Sequence, residues 1–433
     1  MTTIERLQSY LDASPTPFHC VEHTAAQLRE HGFRRIDFAD ESQSLPPGTR
    51  GYLDAGGSIL AFVVGAKPAT KAGFRIVAAH TDSPNLRVKP QPLVTSNGYV
   101  RLGVEVYGGP ITATWADRDL GLAGRVIVRD GHNLTRRLID IRRPLCRAPN
   151  AAIHLNREVN SKGLKLNPQT QMSLIFALES EDEDPLRTLL ARELQVEAEK
   201  ILTWDLQLYD LARAVISGLN GEFLHSARID DLACCHAGLE GLLGSLSNSP
   251  ADATTVLCLF DHEEIGSNTA RGADSRLVED LLHLLHDSGQ CRGQFSRAIA
   301  HSWMISCDMA LAVNPGYADK LDPNHMPKIN EGPVIKHSAS KRYSTECETA
   351  AMFLLLAEEV GAPTQWFVCR SDERSGSTVG PMLASRLAIR SVDVGNPMLS
   401  MHSIREMCGT KDHPWLVDIL TEFFKARLPA PPL

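Results

Sequence analysis

The sequence predicts an α/β protein, and three observations carry that prediction. Nearly continuous apolar runs at 59–64, 74–79 and 255–260 alternate with stretches of helical periodicity, as expected of a sheet covered by helices on both faces. Between about residues 90 and 230 the runs become short and β-rich, and turns of Gly, Pro and Asn separate them. That spacing suggests an antiparallel or barrel-like module inserted into the α/β layer. At 433 residues the chain also has the length of two or three domains, at roughly 100–200 residues each.

Taken in order, Ile4, Leu7, Tyr10 and Leu11 recur at helical spacing before the break at Ser14-Pro15-Thr16-Pro17. A second amphipathic helix is expected at 21–30. Strands follow at 59–64 and 74–79. The inserted module, residues 91–229, carries β-rich runs at 100–106, 124–128, 137–141, 153–155 and 172–178, and a helical stretch at 206–216. The α/β alternation then resumes: helix 232–246 leads to strand 255–260, helix 275–285 to strand 303–306, helix 349–360 to strand 365–369, and helix 383–387 to strand 389–394. Residues 1–90 and 230–433 are therefore expected to form one discontinuous α/β domain, and 428–432 to be a frayed tail.

Composition narrows the function. The chain has 44 Lys+Arg against 52 Asp+Glu, a net charge of −8, with 43% hydrophobic and 22% charged residues. A mainly disordered chain is excluded. The mild acidity argues against a nucleic-acid partner, and no apolar run approaches the ~20 residues that span a bilayer. The N-terminus lacks the basic-then-apolar layout of a secretory signal, so a cytoplasmic protein is expected. Its ten cysteines are scattered without a Cys-x-x-Cys pair and read as buried reduced thiols. Any metal ligands should then be His and carboxylate.

Open α/β sheets bind ligands at the carboxyl ends of their strands, and several predicted strands end in such residues. His80-Thr81-Asp82 follows 74–79, Asp261-His262-Glu263-Glu264 follows 255–260, Cys307-Asp308 follows 303–306, and Met401-His402-Ser403 lies beyond 389–394. A single acid or His there usually caps a helix or bonds a turn. Together they favour a metal site. His80 and Asp82, two apart in an extended segment, point the same way, so His80 can bind metal while Asp82 holds or orients its ring. Glu263 and Glu264 are adjacent and diverge, so one can bind metal while the other serves as general base to a bound water. An exposed acidic helix start is the bland alternative for that pair.

These segments, in this order, resemble the M18 family of metalloaminopeptidases, the aspartyl aminopeptidases. The likeness runs over nearly the whole chain. Its most specific pieces are Ala79-His80-Thr81-Asp82-Ser83-Pro84, Tyr107-Gly108-Gly109-Pro110, Trp115-Ala116-Asp117-Arg118-Asp119-Leu120 and Ser226-Ala227-Arg228-Ile229-Asp230-Asp231. Asp261-His262-Glu263-Glu264-Ile265-Gly266-Ser267, Gly332-Pro333-Val334-Ile335-Lys336 and Met401-His402-Ser403-Ile404-Arg405-Glu406-Met407 extend it.

The resemblance implies a three-layer α/β/α catalytic domain of the zinc-exopeptidase kind, with the β-rich insertion used in oligomerisation. It implies two zinc ions per subunit, replaceable by manganese or cobalt. Asp230 would bridge them, His80 and Asp308 would complete one, and Glu264 and His402 the other. Glu263 would be the general base and Asp82 the residue behind His80; Asp231 suits a helix-start or hydrogen-bonding role.

Lys336 matches the position that pairs with an acidic first side chain, although a solvated surface lysine is its ordinary reading. His154 would reach a neighbouring subunit's substrate, with direct metal contact as a second reading, and His325 would lie near the substrate cleft. The implied substrates are peptides with a free N-terminus, beginning with Asp or Glu, cleaved inside a tetrahedral dodecamer. The chain departs from the family pattern at Leu311, Asn314-Pro315-Gly316 and Ser375, near the substrate loop. The rival readings are an aminopeptidase of neutral or basic preference and a non-catalytic assembly protein of the same fold.

Overall fold

The computed structural model describes residues 1–40, 42, 44–286 and 292–428; Cys291 and the expected tail beyond Leu428 lie outside them. Helix Thr3–Ala13 starts at a capping box, in which the Thr2 hydroxyl accepts the Glu5 N–H and the Glu5 carboxylate accepts the Thr2 N–H. Its apolar face, Leu7, Tyr10 and Leu11, is fully buried. Pro17 then opens helix Pro17–Glu30, where a missing N–H costs nothing.

A nine-stranded sheet forms the centre. In spatial order its strands are Arg34–Arg35, Arg50–Asp54, Ile59–Val63, Thr254–Phe260, Phe74–His80, Trp303–Cys307, Arg390–Gly395, Val334–His337 and Gln365–Val368. Four neighbours, Thr254–Phe260, Phe74–His80, Trp303–Cys307 and Arg390–Gly395, run parallel. Their carboxyl ends therefore lie side by side. The continuous apolar runs arise because both faces are covered: Val77 and Ala79 pack with helices Thr3–Ala13, Ile229–Gly244, Cys347–Glu359 and Asp412–Lys425. Phe74, Ile76 and Ala78 pack on the other side with helices Leu277–His286 and Val379–Leu387. The result is a three-layer α/β/α arrangement, in which each fully buried Leu, Ile or Phe contributes roughly 1.5–3 kcal/mol.

A second, six-stranded antiparallel sheet takes its strands from residues 85–210, in the order Asn133–Cys146, Leu120–Asp130, Ile201–Asp210, Asn85–Ser96, Tyr99–Tyr107 and Leu174–Leu178. Arg147 and Ile175 exchange backbone hydrogen bonds of 3.1 and 2.9 Å, which draws the two edges together and curls the sheet. Two local expectations fail within this part of the chain. The segment expected as a helix at 206–216 begins as strand Ile201–Asp210, because Leu206 and Leu208 alternate into the core of the curled sheet. The run at 153–155 is a turn with Leu155 84% exposed.

A small third sheet joins strands Val215–Ser217, Phe223–Ser226, Glu406–Gly409, Pro397–Leu399 and Ala310–Leu311 in that order. Among the described residues no helix is long and apolar enough to cross a membrane.

Candidate metal centre

The parallel strands deliver their polar ends to one place. His80 closes strand Phe74–His80 with its side chain only 2% exposed. Its Nδ1 lies 3.0 Å from the Asp82 carbonyl oxygen and 3.6 Å from the Asp82 carboxylate. The backbone carbonyl thus receives the ring N–H and leaves Nε2 free for a ligand role. That Nε2 is 3.5 Å from Asp230 Oδ1 and 3.9 Å from Asp308 Oδ1. Asp308 follows strand Trp303–Cys307 directly, and its N–H is held by the Val394 carbonyl.

Glu263 and Glu264 occupy a single 3-10 turn, Glu263–Ile265, placed between His262 at φ 71° and Gly266 at φ 96°. The Asp82 carboxylate fixes this turn. Its Oδ1 accepts the Glu263 N–H at 3.1 Å, and its Oδ2 accepts the Glu264 N–H at 3.2 Å. The Tyr107 hydroxyl donates to Oδ2 at 2.7 Å. Asp82 therefore orients the glutamate pair with its side chain and His80 with its main chain.

Asp230 stands in the first turn of helix Ile229–Gly244 in a non-helical conformation, and its peptide bond to Asp231 is cis. His402 Nε2 completes the other side, 3.5 Å from Asp230 Oδ2 and 3.4 Å from Glu264 Oε1, while its Nδ1 faces the Gly109 carbonyl at 3.1 Å. Among the described residues three groups have mutually close donor atoms: His80, Asp230, Asp231 and Asp308; His80, Glu263 and Glu264; and Asp230, Glu264 and His402, with the donors of each within 4.8 Å of one another. Asp230 belongs to the first and the last of them. His80, Asp230, Glu263, Glu264, Asp308 and His402 also line an open cleft of about 330 Å³ that Lys336 shares.

The electrostatics favour cations here. Burial pushes the Glu263 carboxyl up to about 7, helped by Asp308, Asp82 and Asp230 and opposed by His80. Burial and the Asp230 carboxylate likewise raise Glu264. Burial alone would raise Asp230, but the His402 and His80 rings beside it, each 3.5 Å away, hold it below the usual carboxylate range. Burial disfavours the charged His402 ring, yet Asp230 and Glu264 outweigh it and lift the ring to about 9. Among the described residues Asp230 Oδ1 and Glu264 Oε1 are buried without a hydrogen bond, the first facing His80 Nε2 at 3.5 Å and the second His402 Nε2 at 3.4 Å. Buried carboxylates left in this state are costly unless positive charge reaches them. The donors are all imidazole and carboxylate, a set that suits zinc.

The remaining expected site residues lie as follows. Lys336 is buried, with Nζ donating to the Met309 carbonyl at 3.0 Å and facing Asp308 Oδ2 at 3.5 Å. His154 sits exposed in a turn, and His325 is half-buried with Nδ1 2.7 Å from Asp322 Oδ1. Neither lines the cleft. Asp231 accepts the His80 N–H at 3.1 Å. Sequence reasoning assigned nothing to Tyr107 or to Glu406, which accepts the N–H groups of Asp230 and His402. Both stand in quoted motifs, and nothing in their spacing signals the contacts they make.

Comparison with known proteins identifies the family. The family model described as aminopeptidase I zinc metalloprotease (M18) matches residues 10–424. A probable M18 family aminopeptidase 2 of Pseudomonas entomophila is 46% identical over 428 residues, covering 97% of each chain. Among solved structures, that of the Ape4 and Nbr1 complex superposes with a TM-score of 0.94 at 36% identity, covering 98% of this chain and 85% of the other. The mApe1 dodecamer of S. cerevisiae gives 0.84 at 27% identity over 98% and 96%. The chain belongs to the M18 family of zinc metalloaminopeptidases, and it is a hydrolase of that class.

Proposed function

We propose that the protein removes an N-terminal Asp or Glu from peptides at a centre of two zinc ions. The observation that carries this reading is the convergence of His80, Asp230, Glu264, Asp308 and His402 from distant strand ends, with buried carboxylate oxygens that make no hydrogen bond. His80, Asp230 and Asp308 would hold one ion, and Asp230, Glu264 and His402 the other. Bound zinc would supply the Lewis acidity that polarises the scissile carbonyl and acidifies an attacking water.

Glu263 takes the proton from that water and passes it to the leaving amine, a role that suits a buried carboxyl beside the ligand cluster. Asp82 keeps the base in place through the Glu263 N–H. The free α-amine of the substrate lies among the carboxylates, which restricts cleavage to the first residue. Lys336 at the cleft pairs with an acidic first side chain, and a neutral one would leave it poorly matched. A neutral preference remains the rival, because Lys336 already donates to Met309 and faces Asp308.

We further propose that residues 1–90 and 230–433 form the catalytic unit, with 91–229 as an inserted assembly unit. The sheet drawn from residues 85–210 supports that division. A homo-dodecamer of tetrahedral symmetry in the cytoplasm is the matching assembly. It is supported by the similarity to mApe1 and by Leu134, Leu155 and Leu178, 70, 84 and 70% exposed on the curled-sheet part. In that assembly the exposed His154 turn would reach a neighbour's substrate, and His325, which does not line the cleft within one chain, would approach the substrate from outside it.

The test combines Glu263→Gln with a panel of Asp-, Glu-, Leu- and Lys-anilides. The variant should retain zinc and lose about 10²–10⁴-fold in rate, and the parent should turn over Asp and Glu fastest. Retained activity in the zinc-loaded variant removes Glu263 as base, and equal rates across the panel remove the acidic preference.

A further inference from the structure

We infer that Glu406 is a positioning residue that locks together the two segments holding the Glu264–His402 metal position; this rests on the two-zinc reading above. Glu406 is 2% exposed and opens strand Glu406–Gly409, which lies between strands Phe223–Ser226 and Pro397–Leu399. It pairs directly with Ser226. The first neighbouring strand runs on toward Asp230, and the second toward His402. The small third sheet therefore brings both ligand-bearing segments to one end.

One side chain then joins them. Glu406 Oε2 accepts the Asp230 N–H at 3.1 Å, and Oε1 accepts the His402 N–H at 2.8 Å. The backbone is irregular at both residues, with Asp230 at ψ 107° inside a helix start and His402 at φ 67°. Helix or sheet geometry does not hold either of them. The carbonyls of the same residues are tied on their far sides, Asp230 by the Ser83 hydroxyl at 2.7 Å and His402 by the Ile111 N–H at 2.9 Å. The carboxylate thus sets the separation of Asp230 Oδ2 and His402 Nε2, 3.5 Å apart. Asp82 braces the Glu263–Glu264 turn in the same way, with each oxygen on one N–H.

Two variants separate this bracing from charge alone. Glu406→Gln keeps the length and loses one acceptor; Glu406→Asp keeps the charge and withdraws it by one methylene. Full-length protein stripped by chelation is titrated with zinc against a chromogenic chelator, and thermal unfolding of the stripped forms is recorded alongside. The parent should bind two zinc ions. Both variants should bind one as the parent does and the other about 10–100-fold more weakly, the usual effect of losing a residue that orients a ligand. If Glu406→Gln does not fold, Glu406→Asp carries the comparison.

Parent-like filling of both positions in the variants overturns the inference while leaving the two-zinc reading intact. So does weakening confined to Glu406→Gln, which would assign the effect to charge. Lowered unfolding temperature with unchanged zinc affinity would make Glu406 merely structural. A parent that binds a single zinc overturns the two-zinc reading, and the inference with it.

Discussion

Lys336 occupies a position where its charge must be divided. Its ammonium group is buried, donates to the Met309 carbonyl and faces Asp308. Asp308 and the Tyr343 phenol outweigh burial and raise its pKa, so it stays cationic at the cleft. Lys336→Met should lower kcat/KM for an Asp-anilide by about 10–100-fold more than for a Leu-anilide, since a buried charged pair lost from one side leaves the other uncompensated. Equal losses on the two substrates would assign Lys336 to Asp308 alone. At this scale the sequence was informative where a polar residue ends an apolar run, as at His80, Glu263, Glu264 and Asp308. It was silent on Tyr107 and Glu406, because each acts on a residue far away in the chain, 25 positions for Tyr107 and 176 for Glu406 to Asp230.

Among the elements, those covered on both faces were the most legible. Strands 255–260 and 303–306 differ by one residue from Thr254–Phe260 and Trp303–Cys307, since unbroken apolarity leaves little else to form. Strand Ile201–Asp210 escaped because its leucines admit helical spacing too, and only the partners Leu120–Asp130 and Asn85–Ser96 decide the period. Packing at the central strands is close: a Cβ on Gly238 would meet Leu257 Cδ1 at 2.6 Å. Leu257 is 1% exposed, so Leu257→Ala should destabilise the protein by about 2–5 kcal/mol in urea unfolding. A change below about 1 kcal/mol would mean that the layer collapses around the gap.

The helical layer also carries a pH dependence. His236 and His413 are buried with their rings bonded at 2.8 Å. Tyr10 packs edge-on against His236, and Glu240 and Arg6 lie beside it. Burial lowers His413 to about 3 and His236 well below its ordinary value, with the facing ring and Arg6 adding to the effect. In the unfolded chain both rings take up protons below about pH 6.5. Their contribution to stability is therefore present above pH 6.5 and is lost as pH falls toward 3. Each ring adds up to about 1.4 kcal/mol per pH unit to that slope. His413→Asn should flatten the fall in stability between pH 6.5 and 5, read by urea unfolding of the metal-free protein, and an unchanged slope would contradict this.

On the scale of the whole molecule, three sheets divide the work. The nine-stranded sheet lines up the strand ends that carry His80, Glu263, Glu264 and Asp308, and the small sheet returns His402 to Asp230. The curled sheet lends Tyr107 to Asp82 and Gly109 to His402 from its strand Tyr99–Tyr107 and the residues just after it. The layered architecture was legible from apolar rhythm, whereas the third sheet was not, because its short strands come from three distant stretches and three of them have only two or three residues.

Zinc-edge anomalous diffraction from crystals of the zinc-loaded protein would locate the ions themselves. Two peaks are expected, one on each side of the Asp230 carboxylate, the first beside His80 and Asp308 and the second beside Glu264 and His402. A single peak, or peaks away from Asp230, would contradict the two-zinc reading.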